Sequence, residues 1–297
     1  MTEIATRFAP SPTGRLHLGH GWSALQAHDF ATERRGHFLL RIEDIDPGRA
    51  REEHVSGIIE DLLWLGLTWE GEIVFQSQRL ALYAMALEDL KERGLVYPCF
   101  CTRAEIAREI AASASAPHGP DGPHYPGTCR GIPAEAAAER AVHEAHCWRL
   151  DTARACAEAG PLSWTDGAGM NHRAHPQMHG DVVLGRKDAP VSYHLAVTID
   201  DADQAISHVV RGADLLHATH VHRLLQALFD LPTPVYLHHA LLATASGERL
   251  AKRNAAPAIA DLRAAGVDPV ALIEGMRAGQ FPDGYRPLDL PVDALGP

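Results

Sequence analysis

The sequence predicts an α/β fold, a parallel sheet with crossover helices interrupted by an insertion. Three observations predict it. Short apolar runs alternate with helical patterns over the first ninety-odd residues, and the same alternation resumes near Val191. Between them, from Tyr97 to about Pro190, the texture changes to clustered Cys with Ser, Pro, Gly and His, which reads as an insertion between two halves of the sheet.

Ile4 to Phe8 and Phe38 to Ile42 read as strands. Between them, His20 to Arg35 has apolar residues at helical spacing, contains Gly21 as its one Gly or Pro, and is followed by Gly36 where a C-terminal cap belongs. Val55, Ile58, Ile59, Leu62 and Leu63 form one helical stripe. Leu80, Tyr83, Ala84, Leu87 and Leu90 form a second, closed by Gly94. Both stripes read as core faces. Within the insertion, Ser113 to Gly127 is a loop, Pro133 to Ala145 an Ala-rich helix and Cys147 to Leu150 a strand. Apolar alternation covers Val191 to Ile199, a long helical pattern covers Ala213 to Phe229, and Val235 to Ala243 reads as a final buried strand. Ile259 to Leu262 and Val270 to Met276 are short helical patterns in a tail too small for another ordinary domain. The expected division is thus 1–96 and 191–243 for the two halves of the sheet domain, 97–190 for the insertion, and 244–297 for a polar loop and a short helical segment.

Across its 297 residues the chain is 46% hydrophobic and 22% charged, which excludes a wholly disordered protein. Its formal charge of −11 argues against non-specific coating of nucleic acid, which needs a dense basic surface, but leaves room for one RNA docked on a local basic face. No apolar run approaches the ~18 residues of a membrane span. The first ten residues hold no basic region followed by an apolar stretch, so no signal peptide or anchor is expected and the protein should stay in the cytoplasm. Five cysteines are too few for a disulfide scaffold.

Three segments carry chemistry. Arg7 to His20 (RFAPSPTGRLHLGH) joins a strand to a helix, so backbone N–H groups and the positive end of the helix dipole face whatever lies above the sheet, which favours phosphate. Gly19 would let a nucleotide approach closely, and His17 and His20 would donate to phosphate oxygens. Gly247 to Asn254 is a polar loop whose Lys252 can close on a triphosphate as a point charge. No GxxxxGK[ST] occurs. Cys99, Cys101 and Cys129 supply three thiolates for tetrahedral Zn²⁺, and on ligand chemistry alone His124 would be the fourth ligand. Cys147 and Cys156 read as small packed residues. His217, His220, His222, His238 and His239 lack acidic or thiol partners at ligand spacing and are assigned no site.

These residues together resemble a family. Arg7 to His20 is similar to the "HIGH" region of class I aminoacyl-tRNA synthetases in its glutamyl form, and Arg249 to Arg253 (RLAKR) is similar to the "KMSKS" loop. Arg41 to Asp46 (RIEDID), Tyr193 to Ala196 (YHLA), Asp200-Asp201 and Val210 to Asp214 (VRGAD) resemble glutamyl-enzyme signatures in the same order. The resemblance covers roughly residues 4–255 and implies a Rossmann-like doubly wound catalytic domain. A full glutamyl-tRNA synthetase continues into a large anticodon-binding region, whereas 44 residues follow Arg253 here. The chain therefore looks like the glutamyl-Q tRNA(Asp) synthetase family, paralogues that esterify glutamate onto queuosine in the anticodon loop of tRNA(Asp). Val197 supports this, standing where full-length enzymes usually carry Asn.

The resemblance implies roles. ATP, accompanied by Mg²⁺, would lie on His17, Gly19 and His20 with Lys252 closing over it. Arg7 and Arg211 would bind the γ-carboxylate of L-glutamate, Glu43 its α-ammonium, with Ala9, Ser11 and Tyr193 completing the pocket. One structural Zn²⁺ per chain would be held by Cys99, Cys101 and Cys129, and the resemblance points to Tyr125 as fourth ligand. Ala251 departs from the pattern, since a small hydroxyl residue usually precedes the second lysine of the loop. A chain without the anticodon-binding region is expected to activate glutamate without tRNA. The alternatives are a shortened glutamyl-tRNA synthetase charging tRNA(Glu) and a non-catalytic glutamate- or nucleotide-binding module. No membrane and no stable protein partner is expected.

Overall fold

The structure, a computed structural model, describes residues 3–112, 118–119, 122–244, 247 and 257–288. Strand β1 (Ala5–Phe8), helix α1 (Leu18–Glu33) and strand β2 (His37–Ile42) form the first crossover unit, with Ala5 opposite His37 and Phe8 opposite Leu40 in parallel register. The end of α1 differs from expectation by one residue. Arg35, not Gly36, takes the left-handed conformation, with φ of 54°. Its N–H bonds to the Thr32 carbonyl while that of Gly36 reaches Ala31. Gly36 is needed for another reason: a Cβ there would lie 2.4 Å from the carbonyl oxygen of Ile4.

Helix α2 (Glu52–Trp64) buries Ile58 and Leu62, but Leu63, assigned to the core stripe, is 53% exposed. It leads to β3 (Val74–Phe75), parallel to β2. Helix α3 (Leu80–Glu92) buries Tyr83, Leu87 and Leu90, leaves Leu80 and Ala84 exposed, and stops at Gly94 with φ of 64°, as read.

The next segment builds its own antiparallel sheet from β4 (Val96–Cys99), β7 (Cys147–Leu150) and β10 (Val183–Gly185). Around it lie α4 (Arg103–Ala112), the two-residue strands β5 (His118–Gly119) and β6 (Gly122–Pro123), α5 (Ala134–His143) and α6 (Thr152–Ala159). A hairpin of β8 (Ser163–Thr165) and β9 (Asn171–Arg173) follows.

Helix α7 (Tyr193–Asp203) stands where strand-like alternation was read. Leu195, Ala196, Val197 and Ile199 are all buried, so the helix is apolar around much of its circumference and its period was hidden. Strand β11 (His208–Gly212) went unread, being only two apolar residues within polar ones. It pairs in parallel with β12 (Val235–His239), placing Arg211 opposite His238. Between them, α8 (Ala218–Leu228) begins five residues later than expected, after a 3₁₀ turn at Ala213–Leu215. The run read as one strand breaks after His239, and β13 (Leu242–Ala243) pairs antiparallel with β14 (Arg286–Pro287).

The two parallel pieces meet where β1 and β11 begin side by side: the Ser207 N–H donates to the Ala5 carbonyl at 3.1 Å and the Ala5 N–H to Ser207 Oγ at 2.8 Å. Helices α9 (Ile259–Ala264) and α10 (Pro269–Arg277) insert Ile259, Leu272, Ile273 and Met276 into the core that Leu25, Leu40 and Leu62 form. A Cβ on Gly21 would meet Ile259 at 3.1 Å, so this glycine lets α1 receive α9.

Candidate active site

From β1 the chain crosses by α1 to β2 on one side, and from β11 by α8 to β12 on the other. That reversal leaves a crevice above the carboxyl ends of β1 and β11, the ligand position of open α/β sheets. A cavity of about 450 Å³ occupies it. Arg7, Ala9, Ser11, His17, Gly19, His20, Glu43, Tyr193 and Arg211 all line it. Lys252 and Ala251 lie outside the described residues.

His17 caps α1. Its Nδ1 accepts from the Gly19 N–H and His20 Nδ1 accepts from the His17 N–H, both at 3.1 Å, with the rings stacked 3.7 Å apart. The N–H groups of Leu18, His20 and Gly21 also have backbone partners, so the expectation of open backbone donors at this helix start is not met. The imidazoles replace them: with both Nδ1 atoms accepting, a neutral ring carries its proton on Nε2 as a donor. Gly19 lines the cavity, and a Cβ there would in addition meet His17 Cε1 at 3.0 Å.

The charges beneath the cavity sort into two groups. Arg7 is held bidentately by Asp201, Nε to Oδ1 at 3.0 Å and Nη2 to Oδ2 at 3.2 Å. The fully buried Arg41 approaches Asp201 at 2.8 Å and Glu43 at 3.7 Å. Asp200 accepts from Gln76 at 2.7 Å, Arg79 at 2.8 Å and Tyr83 at 2.8 Å, tying α7 to α3. Burial pushes Glu43 up to about 7 against the pull of Arg41 and Arg7.

Arg211 is different. It donates from Nη2 to Thr219 Oγ1 at 2.7 Å, from Nη1 to His222 Nδ1 at 3.2 Å and from Nε to His238 Nε2 at 3.3 Å. Among the described residues, no carboxylate stands within ion-pairing distance of it. Desolvation and the Arg211 charge hold His222 far below the ordinary imidazole value and His238 down to about 2, so both rings are neutral. Sequence reasoning missed Thr219, His222, His238, Arg41 and a role for Asp201. The spacing of Thr219 and His222, three apart on one helix, was legible, but the register that sets His238 beside Arg211 depends on a strand the sequence did not reveal.

In the insertion, the sulfurs of Cys99, Cys101 and Cys129 lie within 4.8 Å of one another and could hold a metal ion. The Tyr125 hydroxyl is 3.6 Å from Cys101 Sγ and accepts from the Cys129 N–H at 2.9 Å. The His124 Nε2 atom is instead 2.6 Å from the Met178 carbonyl. Cys147 sits opposite Cys99 across β4 and β7, and Cys156 packs against the core that α3, α7 and α8 share with the insertion. The residues read as substrate pocket thus meet in one cavity and those read as metal ligands in one cluster, while Val197 is buried in α7 and does not line the cavity.

Residues 3–285 match the profile of tRNA synthetases class I (E and Q), catalytic domain. A glutamyl-Q tRNA(Asp) synthetase of Rhodobacter capsulatus is 48% identical over 282 residues, covering 90% of this chain and 97% of that one. That of Nitratidesulfovibrio vulgaris is 42% identical over 293 residues, covering 94% and 88%. Among solved structures, a glutamate tRNA ligase from Elizabethkingia meningosepticum in complex with its amino acid superposes with a TM-score of 0.70 at 27% identity. The match takes in 85% of this chain and 52% of the ligase, so the chain spans about half of that longer protein.

Proposed function

The chain belongs to the class I tRNA synthetases of the glutamate and glutamine type, and on that premise we propose that it activates L-glutamate with ATP, without tRNA, and transfers it to queuosine in the anticodon loop of tRNA(Asp). The relatives named for that reaction support the acceptor. The observation that carries the amino-acid side is a buried guanidinium, Arg211, opening on the cavity without a counter-charge among the described residues. Glu43 on the same cavity supplies the opposite sign for an α-ammonium. A cavity that presents a guanidinium without a counter-charge and, apart from it, a carboxylate suits an amino acid that carries a side-chain carboxylate.

In this reading the α-carboxylate oxygen of glutamate attacks the α-phosphorus of ATP and pyrophosphate leaves; a hydroxyl of queuosine then attacks the acyl carbon and AMP leaves. His17 and His20 hold phosphate oxygens through their Nε2 protons, at the positive end of α1. Lys252 would add its positive charge on the phosphates, and Mg²⁺ bound with ATP would offset phosphate charge. Arg211, with Arg7 beside it, orients the γ-carboxylate, while Ala9, Ser11 and Tyr193 wall the pocket. Three thiols and a phenol suit Zn²⁺ in a closed set, so Cys99, Cys101, Cys129 and Tyr125 would hold a structural ion that shapes the insertion. No helix among the described residues is long and apolar enough to cross a membrane. A tRNA acceptor, as the relatives' names give it, supports a cytoplasmic location.

Glutamate-dependent exchange of pyrophosphate into ATP, with no RNA present, tests the activation step. Exchange is expected; its absence without tRNA would overturn tRNA-independent activation. Binding of glutamate and ATP without exchange under any condition would leave a non-catalytic module. The second reading, charging of tRNA(Glu), rests on the likeness to a solved glutamate tRNA ligase and is less supported than the first; it shares this step and differs in its RNA acceptor.

A further inference from the structure

A guanidinium has five N–H donors and no acceptor. Thr219, His222 and His238 take three of those of Arg211, from Nη2, Nη1 and Nε respectively. One donor remains on each of Nη1 and Nη2, the number that a carboxylate engages when it binds through two oxygens. Because a guanidinium can only donate, the ring atoms facing it must be unprotonated. His222 therefore keeps its proton on Nε2, directed at His194 Nδ1 at 3.1 Å, and His238 keeps its own on Nδ1. All three partners are neutral acceptors. The contrast with Arg7 is direct, for there Asp201 takes Nε and Nη2 and sets a carboxylate against the guanidinium charge.

We infer that His222 and His238, with Thr219, are positioning residues that set the preference for glutamate over glutamine: they fix the orientation of the Arg211 fork while leaving its charge for the substrate's side-chain carboxylate. An anionic acceptor in either place would do to Arg211 what Asp201 does to Arg7. The carboxylate of glutamate would then lose its counter-charge, whereas the amide of glutamine would lose little. This rests on the reading of the cavity as the glutamate site.

The test compares matched neutral and charged replacements. Asn at 222 presents an acceptor oxygen near the place of Nδ1, and Asp has the same shape with a negative charge; Gln and Glu do the same for Nε2 at 238. Wild-type exchange with glutamate is measured first, and its absence would overturn the functional reading itself. His222→Asp is then expected to lower the glutamate-to-glutamine ratio of kcat/KM by about 100-fold or more, with the KM for ATP within about threefold. His222→Asn is expected to keep the preference. The His238→Glu and His238→Gln pair gives the same comparison at the second acceptor, should His222→Asp fail to fold. A charged variant that folds, uses ATP and keeps the wild-type preference overturns the inference, as does a neutral variant that loses the preference as fully as its charged counterpart.

Discussion

Asp201 grips Arg7 with both carboxylate oxygens, at 3.0 and 3.2 Å, and also stands 2.8 Å from Arg41. Arg7 comes from β1 and Asp201 from α7, so one ion pair joins the two halves of the sheet domain across the insertion. It also distinguishes the two arginines at the cavity: Arg7 faces a carboxylate that it shares with Arg41, whereas Arg211 faces the neutral acceptors Thr219, His222 and His238.

Asp201→Asn should therefore act first on stability. Removing a buried carboxylate from between two buried guanidinium groups leaves both under-compensated, and a loss of about 3–5 kcal/mol is expected. Chemical denaturation of the variant measures it. A change below about 1 kcal/mol would mean that water reaches this pair and screens it.

Arg211→Ala should act on substrate instead. Loss of one member of a buried charge-assisted pair typically costs 2–5 kcal/mol, so kcat/KM for glutamate is expected to fall by about a hundredfold or more. The KM for ATP should stay within about threefold, since the imidazoles proposed to hold phosphate, those of His17 and His20, lie at the start of α1. Unchanged glutamate kinetics would remove Arg211 from the pocket.

Glutamate binding should weaken in acid. Burial raises Glu43 to about 7, and only its ionised form attracts the α-ammonium. Above that value the carboxylate is present; below it protonation removes the partner, so the glutamate KM should rise by up to about tenfold per pH unit as pH falls through 7. At saturating ATP the profile reads this group apart from the histidines. Glu43→Gln should flatten the profile while weakening glutamate throughout, and a wild-type profile already flat between about pH 5.5 and 8 would contradict the role.

One zinc per chain is expected in freshly purified, unchelated protein. Cys129→Ser should lower it and impair transfer to RNA more than activation. His124→Ala should leave zinc content unchanged, because the His124 Nε2 atom already bonds the Met178 carbonyl. Full zinc retention in Tyr125→Phe would move the fourth ligand away from the phenol.

What was legible in the sequence follows from what a local pattern can encode. The β1 to α1 turn, the Gly94 stop and the clustering of Cys99, Cys101 and Cys129 depend on neighbours in sequence or on residue chemistry. The Arg35 conformation escaped because Gly36 invites the left-handed role and is instead used to clear the Ile4 carbonyl. Helix α7 escaped because burial around much of its circumference erases periodicity. The acceptors of Arg211 escaped because His238 reaches it by strand register and His222 by helix packing, neither of which is written in spacing alone.

The central claim is the RNA acceptor, and transfer of labelled glutamate to purified tRNAs tests it most directly. The account predicts that label enters queuosine-containing tRNA(Asp) and is released by mild base, with none on tRNA(Asp) that lacks queuosine and none on tRNA(Glu). Charging of tRNA(Glu) at its 3′ end, with queuosine-containing tRNA(Asp) left unlabelled, would contradict it.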